Sequence, residues 1–319
     1  MDSSDTNMHH LILVHQPSKQ AYSDYESIAA RISEQVADIR VFIVDTKKLD
    51  WELRKDAAGA PTLTVSPMPM KKFAPERGRI HQGFDFPKSE QYERLAARGV
   101  PVPNWQPIET GTSLDPNDWG AYVVIKPDLS RKGAEIKIKR TGRVRYKPPQ
   151  AYDSDHPARH AALLAQRFIY TGRWPNNYRV VTLYGRALMS WHCEAMHNYR
   201  PLESRYAFRG GAEGGGITIV SNKMGSRYRL SAENDVIALA ERAHSAFSEQ
   251  PLLGTDIVRD VETGELCVLE TNPRGDAWLM SSDTGNSIQA DNQIDFSHQF
   301  NALDIAADVL IDRTRALAQ

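Results

Sequence analysis

Cysteine is nearly absent from this 319-residue sequence, with Cys193 and Cys267 its only two. They share no metal-ligand spacing, so a disulfide framework is excluded and a reducing compartment is the default. Long apolar runs are missing too. Leu11 to Val14, the longest near the beginning, falls far short of a signal-peptide core or a membrane span. The expected location is the cytoplasm, with no membrane partner. Charge of one sign is not in surplus: 39 basic against 40 acidic residues give a formal net charge of -1. That balance argues against a protein that grips nucleic acid through an extended basic surface. Small molecules and peptides remain as partners, and a homo-oligomeric state stays open. There is no Walker-type phosphate loop, no GxSxG elbow and no zinc-type His/Cys cluster. The ten histidines are scattered, and His156, His160, His192 and His197 read as structural or surface residues rather than bases.

What is present suits an ordinary globular chain, 41% apolar and 25% charged. Its length allows two or three subdomains around a shared core. The opening reads strand, helix, strand: Leu11 to His15, a helix with Tyr25, Ile28, Ala29, Ile32 and Val36 on one face, then Arg40 to Asp45. Ser23 and Glu26 read as a capping box. Such a unit builds parallel, helix-covered sheets. Proline and glycine between Ala57 and Pro87 suggest a third strand and an irregular linker. A helix is expected from Lys88 to Arg98, then a strand at Tyr122 to Lys126. AEIKIK and RVRYK, around Thr141-Gly142, read as a hairpin. A helix near His156 to Leu164 and a strand QRFIY follow, then a hairpin turning at Tyr184-Gly185. The stretch from Met196 to Gly216 reads as a mobile loop. Ser231 is expected to cap the next helix, and a last hairpin and helix close the pattern. The fold class is α/β with α+β character, not a simple doubly wound sheet.

The last hairpin, GTDIVRD–VETG–ELCVLETN, is the most informative. With its turn centred on Thr263, Asp256 and Glu270 lie seven residues to either side and face each other. Their Cβ atoms would then be roughly 4.5–5.5 Å apart. Asn272 points to the same face, and Val258 would pair with Val268. Like charges so placed are destabilising unless something positive lies between them. Two carboxylates and an amide suit magnesium. The same pattern also suits a solvent-exposed hairpin whose acids keep an edge soluble, because a one-residue change in the turn moves the register.

Lys126 ends an apolar strand before Pro127, where a lysine can reach a phosphate as a point charge; a solvated strand-end lysine is the plainer reading. VVIKPD, QRFI, YRVVTLYGRAL, GTDIVRD and VLETNPRG occur in that order. Together they resemble the ATP-grasp superfamily, and in spacing its branch of ribosomal-protein glutamate ligases, glutathione synthetases and D-alanine–D-alanine ligases. The likeness runs from Lys88 to Gly275.

The resemblance implies an ATP-grasp fold after an N-terminal, partly Rossmann-like domain, with divisions at 1–85, 86–165 and 166–319. It implies that Lys126 and Lys88 contact ATP phosphates. Gln166, Arg167, Phe168 and Ile169 would form the hinge that receives adenine. Arg179 would steady the transferred phosphoryl group, with Arg274 beside the substrate. Asp256, Glu270 and Asn272 would bind magnesium, or manganese in its place. Arg205 and Arg209 are further candidates for an anionic substrate, and RGGAEGGG at 209–216 for a lid or a linker. The implied reaction joins a carboxylate to an amine, less often a thiol, through an acyl phosphate with release of ADP and phosphate. A phosphotransferase or a non-catalytic ATP-binding protein would carry the same motifs.

Overall fold

The computed structural model describes residues 8–17, 19–129, 136–196, 201–206, 226–272 and 278–319. A parallel sheet comes first. It comprises β1 (His9–His15), β2 (Ile39–Asp45), β3 (Thr62–Ser66) and β4 (Arg79–Gln82), in the order β2-β1-β3-β4. β1 is apolar on both faces because helices cover both. Leu11 and Leu13 pack toward α1 (Tyr22–Gln35), whereas Ile12 and Val14 join Ala57 of α2 (Trp51–Ala57) and Phe73. Tyr25, Ile28 and Ile32 form the buried stripe of α1. Its N-cap is Ala21, with no side-chain cap, so the expected Ser23–Glu26 box does not form. Ser23 already lies inside the first turn. Strand β4 lies in the stretch that the sequence pattern assigns to linker, and helix α2 in one to which it assigns no element.

A central antiparallel sheet follows α3 (Lys88–Ala97). It holds β5 (Trp105–Pro107), then after α4 (Pro116–Trp119) come β6 (Tyr122–Pro127), β7 (Lys137–Arg140) and β8 (Leu163–Arg167), ordered β5-β8-β6-β7. β7 pairs with β6, not with RVRYK. Thr141–Arg143 is a single 3-10 turn, and Thr141 is buried with its hydroxyl on the Gly120 carbonyl, so the expected hairpin is lost. The helix expected near His156 is likewise only a 3-10 turn, Pro157–Arg159. Leu163 and Leu164 belong to β8.

The third sheet is antiparallel: β9 (Asn176–Leu183), β10 (Arg186–Ala195), β11 (Ser226–Leu230), β12 (Leu252–Arg259) and β13 (Leu266–Asn272), ordered β11-β10-β9-β12-β13. Tyr184 and Gly185 take positive φ, 46° and 88°, in the tight turn between β9 and β10. α5 (Asn234–His244) covers one face through Val236, Leu239, Ala240 and Ala243. Its N-cap is Glu233, not Ser231, whose backbone N–H instead reaches the Ser190 carbonyl. After α6 (Asp283–Asn292), α7 (Ala302–Leu317) packs against α1, β1 and β10, so one apolar core joins the first sheet to the third. The expected loop at 196–216 lies largely outside the described residues.

Candidate functional site

Three strands lay a row of charges across the third sheet. Arg179 on β9 pairs with Asp256 on β12, and Asp256 pairs with Glu270 on β13. Directly opposite residues leave the same face, so the two acids are neighbours as expected. The register that brings them there differs from the expected one. Near the turn Val258 pairs with Cys267 and Ile257 with Val268, so Val258 does not meet Val268. A bulge at Leu269 then restores the Asp256–Glu270 pair.

Arg179 grips Asp256 with both ends of its fork, Nε to Oδ1 and Nη2 to Oδ2, each at 2.5 Å. Burial opposes the Arg179 cation, but the Asp256 carboxylate outweighs it and holds its pKa above the ordinary arginine value. The amides of Asn272 and Asn177 add hydrogen bonds to Asp256 at 3.1 and 3.4 Å. Glu270 is more open and lies 3.8 Å from the Lys88 ammonium.

Both expected lysines are buried at this place. Lys88 opens α3, and Lys126 ends β6 with only 4% of its surface exposed. Asp128 joins them: it accepts from the Ser89 N–H and hydroxyl at 2.8 Å, while its carbonyl accepts from the Lys88 N–H. Burial pulls the Lys126 pKa down to about 8, against the nearby Glu270 charge, and Lys88 pushes it the same way as burial. The Lys126 ammonium also sits 5.2 Å from the centre of the Tyr92 ring.

Tyr92 and Gln91 are the functional surroundings that sequence reasoning missed. Tyr92 accepts from Gln166 Nε2 at 3.1 Å and donates to the Leu269 carbonyl at 2.7 Å. Gln91 accepts from the N–H and hydroxyl of Thr271, at 2.8 and 3.0 Å. Their only sequence signal is the helical spacing from Lys88 through Gln91 and Tyr92 to Leu95, which equally describes a core face.

The hinge candidates divide. Gln166 faces the site with Lys126, since Val124 pairs with Gln166 and Lys126 with Leu164. Its side chain is buried and serves Tyr92. Arg167 pairs with Val123 and leaves the opposite face. Phe168 and Ile169 lie beyond the end of β8, half-buried, where the chain crosses from the central sheet to the third. Arg205 is elsewhere, bound to Asp260 and Glu262 at 2.7 Å. Arg274, Arg209 and the 209–216 segment lie outside the described residues.

Among the described residues no cluster of three or more His, Cys, Asp or Glu could hold a metal. The donor set is therefore two carboxylates and an amide, all hard oxygens suited to magnesium. Asp256 is already held by Arg179. The fork and the two asparagine amides together fill the roughly four acceptor positions of an ionised carboxylate, so a cation would take the places of the two longer amide bonds, with Asn272 turning its oxygen to the ion. The set fits.

No protein-family model and no curated protein matches the sequence. Among solved structures, the chain is similar to D-cycloserine synthetase DcsG at 15% identity, over 94% of this chain and 99% of that one, with a TM-score of 0.50. It is also similar to the ATP-grasp ligase PsnB complexed with minimal precursor (14% identity, 96% and 99% covered, TM-score 0.48). D-alanine–D-alanine ligase from Bacillus anthracis matches at 12% identity over 97% and 99%, with a TM-score of 0.46.

Proposed function

From the ATP-grasp fold of this chain, we propose that it is an ATP-dependent ligase that joins a carboxylate to an amine through an acyl phosphate. One observation carries the reading: two buried lysines, from α3 and β6, converge with the Arg179–Asp256–Glu270 row on one face. Three cations from separate elements, interleaved with two carboxylates, form an environment for a polyphosphate and its counter-ion.

Lys88 and Lys126 hold the phosphates, and Arg179, fixed by Asp256, presents its guanidinium to the transferred group. Asp256, Glu270 and Asn272 would hold magnesium, which when bound offsets phosphate charge as a Lewis acid. A substrate carboxylate oxygen attacks the γ-phosphorus as the bond to the β-phosphate oxygen breaks, and ADP leaves. The amine then attacks the acyl carbon, phosphate departs and the amine gives up its proton. The chain's residues need only position and neutralise, which is what this row of fixed charges supplies. Phe168 and Ile169 receive the adenine at the crossing between sheets, and Arg274, two residues after β13 in the sequence, is assigned to the substrate. Amino acids or short peptides are the substrate class, and the cytoplasm the setting.

The test is ATP consumption with magnesium against pools of amino acids and short peptides, with ADP, AMP and products separated. Substrate-dependent ADP and phosphate together with an amide product are expected. A phosphate ester in place of the amide would make the chain a phosphotransferase. Absence of ATP binding would overturn the proposal.

A further inference from the structure

The net charge of -1 hides a local imbalance. Lys137, Lys139, Arg140, Arg143, Arg145 and Lys147 fall within eleven consecutive residues, 137–147, that contain none of the chain's 40 acids. All six are exposed. Among the described residues, no carboxylate pairs with Lys139, Arg140, Arg143, Arg145 or Lys147. Solvated protein surfaces normally intersperse the two signs.

The strip also lies at a sheet edge. β7 is the outer strand of the central sheet, with no strand on its far side among the described residues. Edge lysines commonly keep such a strand from pairing with other chains. That role accounts for Lys137 and Lys139. It does not account for Arg143, Arg145 and Lys147, which follow the end of β7.

Lys137 pairs with Ile125 and Lys139 with Val123, so both leave the face opposite Lys126. That face carries the apolar cluster of Val123, Ile125, Val144 and Ala165.

We propose that β7 and the basic segment after it dock an acidic, extended polypeptide, which adds as a strand along β7. Charge complementarity sets the sign of the partner. The open edge supplies main-chain hydrogen bonds, and the basic side chains along it and after it supply selectivity for acidic residues, the two ingredients of strand addition. The sugar-phosphate backbone of DNA offers acceptors but no donors to pair with the carbonyls of β7. The acidic surplus of the remaining chain also repels a polyanion longer than the strip. Lys137 sits opposite Ile125, one residue before Lys126, so a docked strand has one end at the nucleotide end of the sheet. The inference stands apart from the ligase reading.

Fluorescence anisotropy tests it with a fluorescein-labelled peptide of alternating glutamate and valine, about twelve residues long, on the full chain. Binding is expected to weaken at least about tenfold when Lys139→Glu, Arg143→Glu and Lys147→Glu are combined. Replacing the same three by Gln should give a smaller loss in the same direction. Circular dichroism and affinity for magnesium-ATP should remain at wild-type values in both variants. Amide hydrogens of 137–140 should exchange more slowly when the peptide is bound. No peptide binding, binding indifferent to charge reversal, no added protection of 137–140, or tighter binding of an oligothymidylate of equal charge would each overturn the proposal. Peptide binding without ATP binding would sink the ligase reading and leave the docking surface standing.

Discussion

The Tyr92 hydroxyl donates to the Leu269 carbonyl at 2.7 Å and so grips the bulged residue of β13. One position earlier on α3, Gln91 accepts from the Thr271 N–H at 2.8 Å. Glu270 is held between these two bonds. Because β13 is the outer strand of its sheet among the described residues, α3 side chains take the place of a neighbouring strand. The same helix carries Lys88, which faces Glu270. The positions of Lys88, proposed for phosphate, and of Glu270, proposed for metal, are therefore coupled through a single helix.

Tyr92→Phe tests that coupling. The phenol serves a half-buried group, the Leu269 carbonyl, and a buried one, the Gln166 amide. Leaving buried groups unpaired costs roughly 1–3 kcal/mol, so the melting temperature should fall. Loosening Glu270 should lower kcat for ATP turnover roughly tenfold to a hundredfold, the scale of a misplaced catalytic group. An unchanged melting temperature and kcat would show that the bond fixes nothing.

The hairpin shows how much was legible and why. Its alternation and turn residues placed Asp256 and Glu270 on one face, and they are there. The register between them and the turn is one residue off, because Asp260 organises the turn: its Oδ1 accepts from the N–H groups of Glu262 and Thr263. The bulge at Leu269 cancels that offset, and it depends on Tyr92, 177 residues away in sequence. A local pattern contains no sign of so distant a partner. The hairpin expected at Thr141 failed similarly, since β6 competes for β7 and wins. The strands β1, β9 and β10, each carrying a run of apolar residues, are legible in their own residues.

Arg179→Met should expose the cost of an unbalanced Asp256. The fork supplies both of its shortest hydrogen bonds, and breaking a buried pair from one side costs roughly 3–5 kcal/mol. Arg179 retains some solvent contact, which favours the lower end of that range. Magnesium should restore part of the loss by taking the place of the cation. Thermal melts with and without magnesium check this: the variant should gain more from the metal than the wild type does. Equal gains would count against Asp256 as a ligand.

His244 predicts an acid-sensitive fold. Its Nε2–H donates to the Gln250 carbonyl at 2.9 Å, so Nδ1 is the acceptor, 2.7 Å from the Thr182 hydroxyl. Burial drives its pKa down to about 4 from 6.5. Between those values the unfolded chain binds a proton that the folded chain does not, so stability from this group falls as pH drops through that window. The full loss is about 3 kcal/mol. His244→Gln should flatten the acid limb of a stability–pH curve measured by urea titration. An unaltered acid limb would assign the loss to other groups.

Lys126 predicts a slope of the same sign at high pH. Its folded pKa of about 8 lies below the ordinary 10.5, so burial of the cation destabilises the fold in full below about pH 8. As pH rises from 8 to 10.5 the folded chain has already released the proton and the unfolded chain still holds it. Stability from this group therefore increases through that window. ATP binding runs against this trend, because phosphates need the charged form. Affinity for magnesium-ATP should fall as pH climbs past 8, although a bound phosphate raises the lysine pKa and moves the midpoint upward. Lys126→Met separates the two effects: it should melt no lower than wild type at pH 7, yet bind ATP at least about tenfold more weakly. Equal ATP affinity in the variant would remove Lys126 from the phosphate site. A lower melting temperature would mean that contact with Tyr92 outweighs the cost of burying the charge.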